Sequence, residues 1–172
     1  MPETPDDTGV RTEHFCSRLK SAAVLIALVF GLASAPNLLA ADIAVVVRPD
    51  TPVDDLTLSQ TRQLFLGERE FWNSSLGVTL LVRAPVARER DVLLRVVYRM
   101  TEAEFRKYWI LKLFRSEAVG GPKVVFSSRM AAELVTSLPG SVAFVDASQV
   151  PKGLKVLRIN GRLPGQPGYP LK

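Results

Sequence analysis

TLLVRAPVARERDVLLRVVYRM, residues 79–100, is the stretch that sets how this chain is built. Its opening residues, 79–82, are a short apolar run with β-branched members, the pattern of a buried strand. Beyond Pro85 the apolar side chains fall at Val92, Leu93, Val96, Val97 and Met100, a spacing that lines one face of a helix. Between strand and helix lies RAPVARER, residues 83–90, where the free backbone N–H groups of a helix start and three guanidinium groups can gather around one anion. Arg83, Arg88 and Arg90 are therefore candidate oxyanion ligands. The competing expectation is an ordinary surface turn whose arginines are solvated. On the helix itself, Asp91 and Arg95 stand four apart and can pair along the exposed face.

The flanking sequence repeats the alternation. Upstream, residues 42–47 (DIAVVV) read as a continuous buried strand ended by Arg48-Pro49-Asp50. Thr57-Leu58-Ser59-Gln60 has the capping-box form, in which a hydroxyl and an amide satisfy the open N–H groups of a helix start. The helix so begun carries Leu58, Leu64, Phe65 and Leu66 and is closed by Gly67, which takes the left-handed conformation easily. Phe71-Trp72 follow in a polar loop ending at Gly77, where covering the sheet edge is a sufficient role for both rings. Downstream, Thr101-Glu102-Ala103-Glu104 is a second capping box. It opens a helix whose Phe105, Tyr108, Trp109, Leu111, Leu113 and Phe114 predict a wide core-facing stripe. After Gly120-Gly121-Pro122 come a short strand, 123–126, and a helix capped by Ser127-Ser128 that carries Met130, Ala131, Leu134, Val135 and Leu138 and stops at Pro139-Gly140. Strands over 141–145 and 154–159 follow.

Strands alternating with helices predict a single α/β domain with a mostly parallel or mixed sheet flanked by helices, the adjacent last strands allowing one antiparallel member. No internal repeat or second domain is visible. Anion sites in such sheets lie outside the carboxyl ends of strands, where helices begin. Residues 83–90 and 126–129 both occupy such positions, which adds Ser127 and Ser128 to the candidate ligands.

Length and composition set the class. The 172 residues, 47% of them hydrophobic, match one globular core. Residues 1–20 are polar and basic at Arg11, Arg18 and Lys20. They lead into the apolar run SAAVLIALVFGLA, residues 21–33, and small residues gather at 33–35 and 40–41. This is the form of a signal peptide over 1–41, with cleavage expected near Ala41-Asp42 and export to the periplasm as the consequence. The alternative is an uncleaved anchor, since 21–41 is about the 20 residues a bilayer requires, although Pro36 and Asn37 speak against it. The domain is then expected over 42–160, and a Pro- and Gly-rich tail over 161–172 that wraps or frays.

Cys16 and His14, the one Cys and one His, both precede the apolar run. The mature part therefore offers no disulfide, thiolate, Ser-His-Asp triad or usual zinc ligand set. No cofactor is expected. Of 22 Lys and Arg and 17 Asp and Glu, three and four precede Asp42, so 19 face 13 and the mature part carries +6. That excess favours an anionic partner, although general solubility accounts for it too. No nucleic-acid signature accompanies it.

Several pieces in this order resemble the phosphate-binding proteins of ABC transporters, in a short form of that superfamily. They are Leu58 to Gly67 with its Phe-Leu-Gly ending, Phe71-Trp72-Asn73, the strand ending at Arg83, Leu138-Pro139-Gly140-Ser141-Val142-Ala143-Phe144-Val145, and Gly168-Tyr169-Pro170. The resemblance implies a periplasmic-binding-protein-like lobe. Such proteins have two α/β lobes with phosphate in the cleft between them, and this chain has the length of one. Arg83 matches the family's strand-end arginine. The Ser-Gly-Thr that follows it in the family falls here at Ala87, Arg88 and Glu89, so two hydroxyls are replaced and a carboxylate arrives. The functional expectation is an exported solute-binding-protein-like module for phosphate or another small oxyanion, with weak or lost affinity, serving a membrane transporter or a sensor. The alternative is an interaction or sensory accessory module whose half-cleft face meets another protein or a second copy of itself. An enzyme is not expected, because no paired-carboxylate or Ser-Lys spacing stands out.

Overall fold

The computed structural model describes residues 41–118 and 120–172. The expected signal segment, with His14, Cys16 and the run up to Ala40, lies outside them. No helix among the described residues is long and apolar enough to cross a membrane.

In chain order the elements are β1 (Ile43–Val47), β2 (Asp55–Leu56), α1 (Leu58–Phe65), β3 (Thr79–Arg83), α2 (Arg88–Val92) running into a π-helix (Leu93–Tyr98), and α3 (Glu102–Phe114). They continue with β4 (Lys123–Val125), α4 (Ser128–Ser137), β5 (Ser141–Asp146), a 3-10 turn (Ala147–Gln149), β6 (Lys155–Val156) and β7 (Arg158–Ile159). Both capping boxes form. Thr57 Oγ1 accepts from Gln60 N at 3.1 Å while Thr57 N donates to Gln60 Oε1 at 2.8 Å. Thr101 and Glu104 make the same reciprocal pair, and these hydrogen bonds hold the Glu104 carboxyl below its usual range. Ser127 caps α4 by accepting from Met130 N at 3.0 Å.

The five-stranded sheet has the order β4-β3-β5-β1-β6. β3 runs parallel to both β4 and β5, whereas β1 is antiparallel to β5 and to β6. The strand that runs against its neighbours is thus the first and not one of the last two, because side-chain periodicity records burial and not direction. Likewise, the run over 154–159 is two strands. Leu157 N still donates to Val45 O at 2.9 Å, but Arg158 N donates to Asp54 O at 2.9 Å, and β7 pairs in parallel with β2 in a separate two-stranded sheet.

Both faces of the sheet are covered, so all five residues of β1 are buried. Ile43, Val45, Val47, Val142 and Phe144 face Leu64 and Phe65 of α1, Leu93, Val97 and Tyr98 of the π-helix, and Phe105 and Trp109 of α3. Ala44, Val46, Leu81, Ala143 and Val145 face Ala131 and Val135 of α4, small partners that let this helix sit close. The stripe on α3 is narrower than its sequence predicts: Phe105 and Trp109 are buried, while Ile110, Leu111, Leu113 and Phe114 are exposed. The π-helix also alters the expected surface pair. Its wider turn takes Arg95 away from Asp91, and Arg95 Nη2 donates to Lys172 O at 2.9 Å instead.

The motifs of the resemblance are held by hydrogen bonds, some to one another and some to the rest of the fold. Trp72 Nε1 donates to Gly140 O at 2.8 Å, and Gly140, at φ 73°, packs so tightly that a Cβ there would stand 1.9 Å from Gly77 O. The end of α1 is held from above, with Tyr108 Oη and Lys112 Nζ each 2.8 Å from Leu66 O and Lys112 Nζ 3.1 Å from Gly67 O. A cation set against the last carbonyls of a helix also meets the negative end of its dipole. In the tail, Tyr169 Oη donates to Ile43 O at 2.8 Å and Leu171 O accepts from Ile43 N at 2.9 Å, so these residues are wrapped onto β1.

Candidate functional site

The carboxyl ends of β3 and β4 lie side by side, joined by Ala84 N donating to Val125 O at 2.8 Å. The chain leaves β3 through a turn in which Val86 is fully exposed and holds φ at 68°, a left-handed conformation that a β-branched residue rarely takes. α2 then starts at Arg88, and α4 starts at Ser128 just past β4. Two helix starts and a strand-end arginine are thus brought to one place, as the alternation of elements predicts.

What meets there is one internal ion pair. Glu89 turns back toward β3, and its Oε1 receives Arg83 Nε at 3.3 Å and Ser128 Oγ at 2.7 Å. The side chains of Arg83 and Glu89 are only 13% and 9% exposed, so the pair is largely withdrawn from water. Arg83 Nη1 lies 3.5 Å from Val125 O, at the outer limit of a hydrogen bond.

Arg90 faces elsewhere. Its Nε and Nη2 hold both oxygens of Glu102 at 3.0 and 2.9 Å, its guanidinium carbon stands 4.2 Å from the ring centroid of Phe105, and Nη1 reaches Arg83 O at 3.4 Å. Arg88 takes a third direction, donating to Ala41 O and standing 3.8 Å from Asp146 Oδ2. Ser127 is occupied as the cap of α4.

The reason for this divergence is helical geometry. Consecutive residues of a helix project about 100° apart, so Arg88, Glu89 and Arg90 cannot all face one point. The residue turned toward the strand end is the middle one, Glu89. The sequence marks Glu89 as a carboxylate arriving at this loop, but the spacing of about 100° alone does not say which of the three residues turns inward. Of the five candidate ligands, the structure brings Arg83 and Ser128 together, leaves Ser127 beside them as a cap, and directs Arg88 and Arg90 to other carboxylates.

Chemically, the Arg83 guanidinium and the Ser128 hydroxyl are two donors that converge on one carboxylate oxygen, supplied by Glu89 of the chain itself. No group of three or more His, Cys, Asp or Glu among the described residues has the arrangement of a metal site.

The α/β lobe, with two helices starting at the carboxyl ends of adjacent parallel strands, has counterparts among solved structures. No protein-family model matches the chain. Among solved structures it is similar to a phosphate ABC transporter substrate-binding protein with bound phosphate from Clostridium perfringens, with TM-score 0.58 and 18% identity over 72% of this chain and 46% of that one. An ABC-type phosphate transport receptor from Vibrio cholerae gives TM-score 0.58 and 19% identity, over 72% of this chain and 48% of the receptor. PstS from Borrelia burgdorferi gives 0.55 and 15%, over 72% and 49%. The chain therefore has the fold of phosphate ABC transporter substrate-binding proteins and spans about half the length of these structures.

Proposed function

We propose that this protein is an exported solute-binding-protein-like module that serves phosphate or another small oxyanion in ABC transport or sensing, and that its own hold on the anion is weak. The observation that supports this reading best is the convergence of Arg83 Nε and Ser128 Oγ on one oxygen at the carboxyl end of β3. Donors converging on one point are what an oxyanion requires. Two features keep the affinity low. The donors come from a single lobe, so the far side of the anion keeps its water, and Glu89 already supplies the negative charge. Export rests on residues 1–41, and mass spectrometry of the protein recovered from the periplasm should find a chain starting near Asp42.

The test of the anion reading is a thermal melt in phosphate, sulfate and chloride at matched ionic strength, for wild type and Arg83→Ala. A dissociation constant no better than about millimolar stabilises by about 1.4 kcal/mol when ligand stands at ten times that value. For a domain of this size that is a rise of roughly 5 °C. Arg83→Ala also strips Glu89 of its cation and lowers the melting temperature itself, so each protein is compared with its own chloride value. Equal response to all three anions, or a full phosphate increment in Arg83→Ala, would sink the reading.

A second reading has its own observation in support. Val86 and Phe126, directly beyond the ends of β3 and β4, are both exposed, Phe126 at 74%. Apolar side chains bordering a half-cleft suit an interaction module whose face meets another protein or a second copy of the chain. Sedimentation of wild type against Val86→Asp/Phe126→Asp separates the readings: a wild-type dimer that the charges dissolve supports this one.

A further inference from the structure

We infer that Glu89 is a tethered stand-in for the ligand: its carboxylate occupies the anion seat and sets which anions enter, and how tightly. This rests on the oxyanion reading and names the group that regulates the same site. The geometry is that of a bound anion. Oε1 takes a guanidinium N–H at 3.3 Å and a buried hydroxyl at 2.7 Å, and Glu89 itself is buried. The two donors come from β3 and α4, and Ser128 lies 39 residues from Glu89, so the seat is defined by tertiary structure and not by the short helix that carries the carboxylate. An internal carboxylate competes with external anions at a high effective concentration, because only side-chain torsions separate its bound and swung-out positions. An external oxyanion binds in proportion to the fraction of time that Glu89 is out, and its apparent affinity is reduced by that fraction.

Two consequences distinguish this from a purely structural ion pair. Removing the charge of Glu89 should raise affinity for tetrahedral oxyanions, whereas an ordinary structural pair gains no ligand when broken. The gain should also require Arg83, since the seat is otherwise a single hydroxyl.

The experiment measures phosphate, sulfate and chloride binding by calorimetry on the full chain, as wild type, Glu89→Thr, Glu89→Gln and Arg83→Ala/Glu89→Thr. Glu89→Thr vacates the seat and returns a hydroxyl to it. Glu89→Gln keeps the shape and an accepting oxygen while removing the charge, and it decides the matter if the threonine variant does not fold. Expected are at least about a tenfold rise in phosphate affinity for Glu89→Thr, equal to about 1.4 kcal/mol, a smaller rise for Glu89→Gln, and loss of the gain in the double variant. Added phosphate should also recover the melting temperature that Glu89→Thr loses. Folded Glu89 variants that bind phosphate no more tightly than wild type would overturn the inference, as would a gain that chloride shares equally or that persists without Arg83. The parent reading is judged separately, on wild type. A wild type that responds to phosphate beside unimproved Glu89 variants leaves that reading standing and removes this one, while a silent wild type beside a responsive Glu89→Thr upholds the occupied seat and removes only the claim that the unaltered protein binds the anion.

Discussion

Replacing Arg90 by Met tests whether this arginine is a ligand or a structural member. Its side chain is 5% exposed and grips both oxygens of Glu102, whose own side chain is 28% exposed. Met keeps most of the aliphatic stem against Phe105 but removes the charge, the two hydrogen bonds to Glu102, the longer one to Arg83 O and the cation–π contact at 4.2 Å. Breaking a fully buried ion pair costs about 3–5 kcal/mol, chiefly because the survivor is left charged and dry. Glu102 is more than a quarter exposed and rehydrates in part, which lowers that figure, while the lost cation–π contact restores about 1 kcal/mol of it. The expected loss is about 2–3 kcal/mol. With a urea m-value of about 1.5–2 kcal/mol/M, the unfolding midpoint should fall by roughly 1–2 M. Arg90→Met/Glu102→Gln should cost less than the two single changes together, with a coupling of about 1–2 kcal/mol. The phosphate response of Arg90→Met should equal that of wild type. A loss below about 0.5 kcal/mol together with a vanished phosphate response would refute the reasoning and return Arg90 to the anion site.

Gly140→Ala should leave little folded protein, or cost at least about 3 kcal/mol, because the new methyl meets Gly77 O at 1.9 Å and the residue sits at φ 73°; a near-wild-type melt would show that the loop yields. Val86→Gly should gain about 0.5–1 kcal/mol, since Val86 holds φ 68° with its side chain in water, and urea titration would reveal any loss instead. Burial raises the Tyr98 and Tyr169 hydroxyls above their usual value of 10.0. Above about pH 10 the unfolded chain therefore gives up protons that the folded chain keeps, and the contribution of these two groups to stability, constant below that pH, should fall as pH rises. Tyrosine ionisation measured by absorbance should then rise together with loss of circular dichroism, and ionisation of all tyrosines in a protein that stays folded would contradict it.

The parts of the fold legible in the sequence are those decided by neighbours in the chain. Thr57-Gln60 and Thr101-Glu104 satisfy their own helix starts, and Gly67 turns at φ 67° where the helix end requires it. Strand direction was not legible, because it depends on which distant strand β1 adopts. The stripe on α3 was overread for a related reason: hydropathy marks what can be buried, while the helix packs inward only through Phe105 on Tyr98 and Trp109 on Gly67. At the site, Arg83 was legible as the residue between a strand and a helix. The partners of Arg88 and Arg90 were not, since Asp146 and Glu102 are supplied by other elements. The motifs carrying the resemblance, Trp72, Gly140, Leu66-Gly67 and Tyr169, are held as parts of the scaffold. That is why they pointed to the fold.

β1 has a kinetic consequence. It is the first strand of the described chain, yet its partners lie about a hundred residues on, with Ile43 opposite Asp146 and Val47 opposite Lys155. The central position of the sheet is therefore empty until the C-terminal third has been made and has closed the longest loop in the domain. Pairings of such separation slow the search for the native topology. Until then α1 lacks Phe144 against Phe65 and β3 lacks β5 beside it, so a nascent chain stays open. Proteolysis of nascent fragments ending before residue 140 should show no protected core, and protection should appear in one step once β5 and β6 are present.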